Sequence, residues 1–372
     1  MSRVHRMQAM VRQTEPCLRP LELASSLPPS VFHDPDWYET EQRALFHAGW
    51  VAVARSSELR DPNDFVTADI GGEPVVVVRK RDGELAAMSN VCPHRSTTII
   101  SEPAGSAPSL QCSYHLWTFN HEGELRVAPG MENVEEFDNA DVCLPRFSVT
   151  EWHGFVLVNI DGKAEPLATS VPHLDALMAE NRIAECVSVG RLEYPSPWNW
   201  KISVENFLES YHHRGVHPVT LDTAYPWAKS FGVCHGDEPW SGVDHVAADP
   251  ANDPFIALCL YPSMLIAISR GMGMFWFRLT PLSADRCHLS IESLVLPEFA
   301  EEAGIGDVLA ESIAAINAED IVINERTATG LRSQFARAGR VSVLEKSPWH
   351  FRQWLVTRVA ESIIESSPPV DE

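Results

Sequence analysis

Cys92-Pro93-His94-Arg95 and, with seventeen residues between His94 and Cys112, Cys112-Ser113-Tyr114-His115-Leu116-Trp117-Thr118-Phe119 form the stretch on which the fold of this chain turns. Each cluster sets one thiol and one imidazole a short hop apart, which is metal-ligand spacing. Exchanging two thiolates of a four-cysteine iron–sulfur site for imidazoles puts Cys₂ on one iron and His₂ on the other of a [2Fe–2S] centre. A tetrahedral zinc site accepts the same residue types. Zinc fingers, however, pair Cys with Cys and His with His, whereas each cluster here holds one of each, with Pro93 shaping the first loop.

Around this stretch, from residue 49 to about 160, the segments are short, β-branched and divided by turn residues. Strands are expected over 50–54, 74–80, 84–89 and 154–160, punctuated by Asp61-Pro62-Asn63, Gly71-Gly72 and Asp82-Gly83. The region is an antiparallel all-β one, two of whose loops carry the four ligands. Upstream, residues 14–33 are Pro-rich and polar and suggest an extended arm. Asp34-Pro35 then supplies an N-cap and a first-turn proline for a short helix to about Phe46. Downstream, 161–185 suggests a polar crossover with a short helix near 173–182. Strands over 264–269, 274–282 and 288–296 make a second antiparallel sheet. Residues 306–331 form a long helix, and Ser347-Pro348 starts a last one with Phe351, Trp354, Leu355 and Val359 on its apolar face.

The 372 residues carry a formal net charge of −22. Nucleic-acid phosphates would be repelled, so no nucleic-acid partner is expected. A cationic substrate or a basic redox partner suits this charge, although many enzymes are simply acidic. Of eight cysteines, Cys17, Cys143, Cys186, Cys234, Cys259 and Cys287 lie outside the two clusters and are expected as buried thiols in a reducing cytoplasm. The first thirteen residues contain Arg3, Arg6 and Arg12 but no apolar core of a signal peptide, and no run approaches a membrane span. No G-x-G-x-x-G follows a strand, so no dinucleotide-binding fold is expected within this chain.

A second constellation reads Glu209-Ser210-Tyr211-His212-His213-Arg214-Gly215-Val216-His217-Pro218. His212 and His217, five apart, are separated by about 140° on an ideal helix and need a local distortion to converge. Gly215 and Pro218 are placed to loosen the helical end. A carboxylate would complete a 2-His-1-carboxylate triad with open positions. Glu209, three before His212, falls on the same helical face, where it can take the ring N–H that His212 does not need for metal. Alone, a His-x₄-His pair is usually just two surface or core histidines; the metal-ligand clusters upstream change that reading.

Cys-Pro-His-Arg at 92–95, Cys-Ser-Tyr-His-Leu-Trp-Thr-Phe at 112–119 and Glu-x-Tyr-His-x₄-His-Pro at 209–218 resemble the Rieske-type non-haem iron oxygenases, catalytic α subunit, and the likeness extends over nearly the whole chain. Leu116 departs from it, since many members have Gly there. The resemblance implies an α+β fold: an N-terminal arm and helix (1–46), an all-β Rieske domain (47–160), and a catalytic domain with an antiparallel sheet flanked by helices (161–372). It implies a Rieske [2Fe–2S] cluster on Cys92, His94, Cys112 and His115, and mononuclear Fe(II) on His212, His217 and Asp320. Glu319 and Asp307 are the alternative carboxylates and His213 the nearest decoy. It further implies that Glu209 reaches a Rieske histidine of a neighbouring subunit in a homotrimer. O₂ is activated beside a small-molecule substrate, with electrons drawn from NAD(P)H through a separate flavin or iron–sulfur reductase.

Two substrate classes follow from the residues. Glu rather than Asp at the bridge is closer to members that oxidise quaternary ammonium compounds such as glycine betaine, carnitine and proline betaine. Seven tryptophans (Trp198, Trp200, Trp227, Trp240, Trp276, Trp349, Trp354) offer faces for such a cation if they are not simply core. An aromatic substrate with a carboxylate would instead need a cationic anchor such as Arg214, Arg270, Arg278 or Lys229. A non-catalytic electron carrier or a zinc-stabilised binding module is the reading of a different class, and it leaves His212, His217 and Asp320 without a purpose.

Overall fold

Val75, Val76, Val77 and Val78 are all buried. A run without polar alternation needs cover on both faces, so its strand belongs inside a sheet with both sides packed. The computed structural model of the chain, which describes residues 3–365, bears this out. Residues 1–2 and 366–372, the outer ends of the first and last expected domains, lie outside the described residues. The chain forms two units, residues 46–164 and residues 1–45 with 165–372.

In the smaller unit, strand Glu73–Arg79 pairs antiparallel with Asp64–Ile70 and with Leu85–Ser89. The sheet runs on through Arg146–Trp152 and Phe155–Asn159 to Val51–Arg55 at one edge, and ends on Ala104–Ser106 at the other. A separate three-stranded sheet, Leu110–Gln111, Thr118–Phe119 and Leu125–Val127, frames the second ligand loop. Met88, Leu110, Phe119 and Leu144 form a core into which Cys92 and Cys112 are packed.

In the larger unit six antiparallel strands follow one another in chain order: Phe231–Cys234, Trp240–His245, Phe255–Leu260, Met264–Ser269, Gly273–Ser283 and Arg286–Val295. Val187–Ser196 closes the sheet beside the last of them. The three strands expected over 264–296 are the fourth to sixth of this series. The long helix spans Ile305–Leu331 and the last helix Lys346–Glu365, whose Phe351, Leu355 and Val359 are buried as expected.

Two expectations are corrected here. Residues 14–33 are no extended arm but a chain of short 3₁₀ turns, Glu15–Leu18, Leu21–Leu23 and Pro29–Phe32, preceded by an unforeseen helix Arg3–Thr14. That helix has a thin apolar face, with Met7 and Met10 buried, and is anchored through Arg3 to Asp36 at 3.2 Å and Arg6 to Asp34 at 3.2 Å. Nor are all six remaining thiols buried: Cys143 is exposed and Cys234 half-buried, because both sit at sheet margins. The Asp34 cap is as expected, accepting from the N–H groups of Asp36 and Trp37 at 2.9 Å.

The helix it starts, Pro35–Glu41, is tied to helix Trp200–Phe207 by an ion pair with no solvent exposure, Lys201 Nζ to Glu41 at 2.8 Å. The Trp37 and Trp200 indole N–H groups donate to the same carboxylate at 2.6 and 3.2 Å. Among the described residues no helix is long and apolar enough to cross a membrane.

Candidate metal centres

The two cysteine loops share one backbone design. The Cys92 N–H donates to the Thr97 carbonyl (2.9 Å), and the Ser96 N–H returns to the Cys92 carbonyl (2.9 Å). In the second loop Cys112 donates to Trp117 (2.8 Å) and Leu116 returns to Cys112 (2.9 Å). Closing so tight a loop drives the fourth residue after each cysteine into positive φ, 55° at Ser96 and 62° at Leu116. Glycine tolerates that conformation without cost, which explains the preference from which Leu116 departs.

These loops bring the four predicted ligands together. Cys92 and Cys112 are each 2% exposed, and His94 and His115, both half-buried, have ring centroids 4.5 Å apart. Trp117 stacks on His94 at 4.9 Å, while Tyr114 and Leu116 flank His115 at the surface. Burial pushes the Cys92 thiol pKa up, backbone N–H groups of His94 and Arg95 on its sulfur oppose this, and the neighbouring Cys112 adds to the rise. Two buried thiols sharing a site, with N–H donors on sulfur and two imidazoles on the more exposed side, fit a Cys₂His₂ iron–sulfur centre.

The second site depends on where a helix stops. Asn199 caps helix Trp200–Phe207, accepting from the Lys201 N–H at 3.0 Å, and the helix ends at Leu208. A turn follows before the short helix His213–Val216, with His212 at its N-cap and His217 just past its end at φ −118°, ψ 48°. The distortion that lets the imidazoles converge therefore lies at His217 itself, just past the helix end, and not at Gly215, which remains helical. Glu209 likewise is not on a shared helical face: from the turn its carboxylate accepts both the His212 backbone N–H (3.0 Å) and its Nδ1 (2.7 Å).

His217, fully buried, is held the same way by Glu319, whose Oε2 is 2.7 Å from Nδ1 and also accepts from the Thr220 hydroxyl. With both Nδ1 atoms engaged, the Nε2 atoms of His217 and His212 lie 3.0 and 3.7 Å from the same Asp320 oxygen. One ligand atom from each of His212, His217 and Asp320 falls within 4.8 Å of the others, and this donor set fits a divalent iron. Burial alone would lower the His217 pKa, but the Asp320 and Glu319 carboxylates outweigh it and raise it.

Of the alternatives, Glu319 is thus a hydrogen-bond partner of His217, and Asp307 is exposed in the first turn of the long helix. His213 is buried, stacked on His245 at 5.1 Å, and its pKa is lowered to about 4 by burial and by the nearby His212. Tyr211 is 52% exposed and does not belong to the core.

A cavity of about 210 Å³ opens on His212, His217, Asp320 and Glu209. Phe255 with Ala257, Ala267 with Ser269 and Phe275 with Phe277 line it from three adjacent strands, each pair two residues apart and so on one face of the sheet. Phe207 and Tyr225 add two more rings, and the long helix contributes Ile313, Ile316, Asn317 and Asp320 along one stripe. None of the seven tryptophans lines the cavity; Trp200, Trp240 and Trp276 are among the largest fully buried side chains. Arg214, Arg270, Arg278 and Lys229 are not lining residues either. Arg270 pairs with Asp244 at 2.8 Å, Lys229 donates to the Ala248 carbonyl at 3.3 Å, and Arg278 lies 5.6 Å from the Trp276 ring centroid. The phenylalanines escaped sequence reading because strand register, not composition, selects them.

The chain matches the family described as Rieske [2Fe-2S] domain over residues 49–138. It matches the ring hydroxylating alpha subunit (catalytic domain) over residues 183–247 and 241–361. It is 31% identical to the carnitine monooxygenase oxygenase subunit of Acinetobacter pittii over 246 residues, 63% of this chain and 66% of that protein's length. It is 27% identical to the chloroplastic choline monooxygenase of Arabidopsis thaliana, over 89% of this chain and 82% of that protein. A crystal structure of a quaternary ammonium Rieske monooxygenase in complex with an inhibitor superposes with a TM-score of 0.83 at 26% identity, covering 93% of this chain and 98% of that one.

Proposed function

The chain belongs to the Rieske-type non-haem iron oxygenases, with both domains of their catalytic α subunits, and from that premise we propose that it hydroxylates or N-demethylates a small quaternary ammonium compound. The observation that carries this reading is a cavity walled by Phe207, Tyr225, Phe255, Phe275 and Phe277 that ends on His212, His217 and Asp320. A quaternary ammonium donates no hydrogen bond, so a site recognises it through aromatic faces, each worth roughly 0.5–2 kcal/mol. The names of the carnitine and choline monooxygenases support the same class. Aromatic-acid hydroxylation is disfavoured because none of the four expected cationic anchors, Arg214, Arg270, Arg278 and Lys229, lines the cavity.

Iron held by His212, His217 and Asp320 would supply dioxygen activation, and a cluster held by Cys92, His94, Cys112 and His115 would supply single electrons. The rest is the work of this chain's side chains. Glu209 and Glu319 fix the tautomer and orientation of the two imidazoles by occupying Nδ1. The aromatic walls seat the cation, while Ile313 and Ile316 keep water from the reacting carbon. Glu209, 15% exposed in its side chain, is the residue we assign to electron transfer from a cluster histidine of a neighbouring subunit. That assignment goes with a homotrimer fed from NAD(P)H by a separate reductase, in a cytoplasm where the six thiols outside the cluster stay reduced.

The test is O₂ uptake coupled to product formation with a surrogate reductase, comparing a betaine and choline panel with a benzoate panel. Formaldehyde or aldehyde release from quaternary ammonium compounds is expected. Phenol or diol products with no ammonium turnover would overturn the proposal.

A further inference from the structure

Asn317 lies on the long helix one turn before Asp320 and lines the same cavity. It is 7% exposed, and its Nδ2 has no hydrogen-bond partner among the described residues. No other cavity-lining side chain among them carries a buried polar atom left unpaired. Buried polar groups in folded proteins are almost always hydrogen-bonded, because leaving one unmade forfeits the hydration it had in water. A donor kept unpaired beside a metal site is therefore a place for an acceptor that arrives with the ligand.

The cation itself cannot be that acceptor. A quaternary ammonium presents only C–H surface and positive charge, which suits the rings opposite the helix and does nothing for an amide N–H. An oxygen elsewhere on the molecule can. We infer that Asn317 reads an oxygen function of the substrate, donating from its carboxamide to a hydroxyl or carboxylate oxygen while the ammonium rests against the aromatic walls. This rests on the quaternary ammonium reading and narrows it to compounds with an oxygen acceptor, over simple tetraalkylammonium ions. A site built to bond such an oxygen discriminates against the analogue lacking it, because the analogue leaves the buried donor unpaired.

The experiment compares matched pairs on the iron-replete enzyme: choline against ethyltrimethylammonium for the hydroxyl, and γ-butyrobetaine against butyltrimethylammonium for the carboxylate. Both kcat/KM and the calorimetric Kd are measured for the native chain and for Asn317→Leu, with Asn317→Ala as the second variant should the first fail to fold. Iron content and the cluster's visible spectrum verify integrity. The oxygen-bearing member should be preferred about tenfold or more in one arm, which identifies the oxygen, and the variant should bring that ratio to about one. A preference unchanged by the substitution in both arms would overturn the inference and leave the quaternary ammonium reading standing. If the native enzyme neither binds nor oxidises any of the four compounds, both fall together.

Discussion

Leu116 holds a left-handed backbone, φ 62°, beside a cluster ligand, and a branched side chain there costs roughly 1–2 kcal/mol relative to an unstrained residue. Leu116→Gly should remove that cost, less the extra freedom glycine has when unfolded. A net gain of about 0.5–1 kcal/mol is expected in denaturant unfolding followed at the cluster's visible band; no gain would show that the loop already relaxes the strain. Cys92→Ser or His115→Ala should abolish that band while leaving mononuclear iron bindable, and a retained band would refute the ligand assignment. At this scale the sequence was legible where chemistry follows spacing. Cys92, His94, Cys112, His115, His212 and His217 all sit in short motifs. Glu319, Asn317 and the cavity phenylalanines do not, because their roles depend on which residue a helix turn or strand register sets opposite them.

Among elements, four strands of the first sheet and the last three of the second were legible from β-branched runs and turn residues, and the long helix from its periodicity; Asp64–Ile70, Arg146–Trp152 and the strands between Val187 and Leu260 were not. Helix Arg3–Thr14 was not, since its apolar face is thin, with Met7 and Met10 as its buried apolar residues. The break before His212 was also hidden: it is enforced by Glu209 capturing the His212 N–H. The buried Glu41–Lys201 pair that joins two helices invites a direct test. Lys201→Met leaves a buried carboxylate unpaired and should cost about 3–5 kcal/mol near neutral pH, whereas adding Glu41→Leu should recover much of it. Burial raises the Glu41 pKa above its ordinary 4.5, and without Lys201 nothing of comparable strength opposes it. A raised carboxylate pKa gives stability that is present below the unfolded value and lost as pH rises through the folded one. The single variant's deficit should therefore shrink as the pH is lowered toward 4.5, and a deficit independent of pH would show that Glu41 is not the group left uncompensated.

For the whole molecule, the two sites differ in ligand chemistry and sit in different units of the chain, so each should be separable by mutation. Glu209→Gln preserves size and can still accept from His212, so both metals should remain bound. Single-turnover oxidation of the reduced cluster with substrate and O₂ should nevertheless slow by orders of magnitude, and an unchanged rate in a fully metallated variant would exclude Glu209 from the electron path. The most direct test of the account is the metal and sulfide content of the purified chain together with that of Asp320→Ala. The native protein should hold about three irons and two acid-labile sulfides per chain, and Asp320→Ala about two irons with the cluster spectrum intact. Two irons in the native chain, or zinc without sulfide, would contradict it.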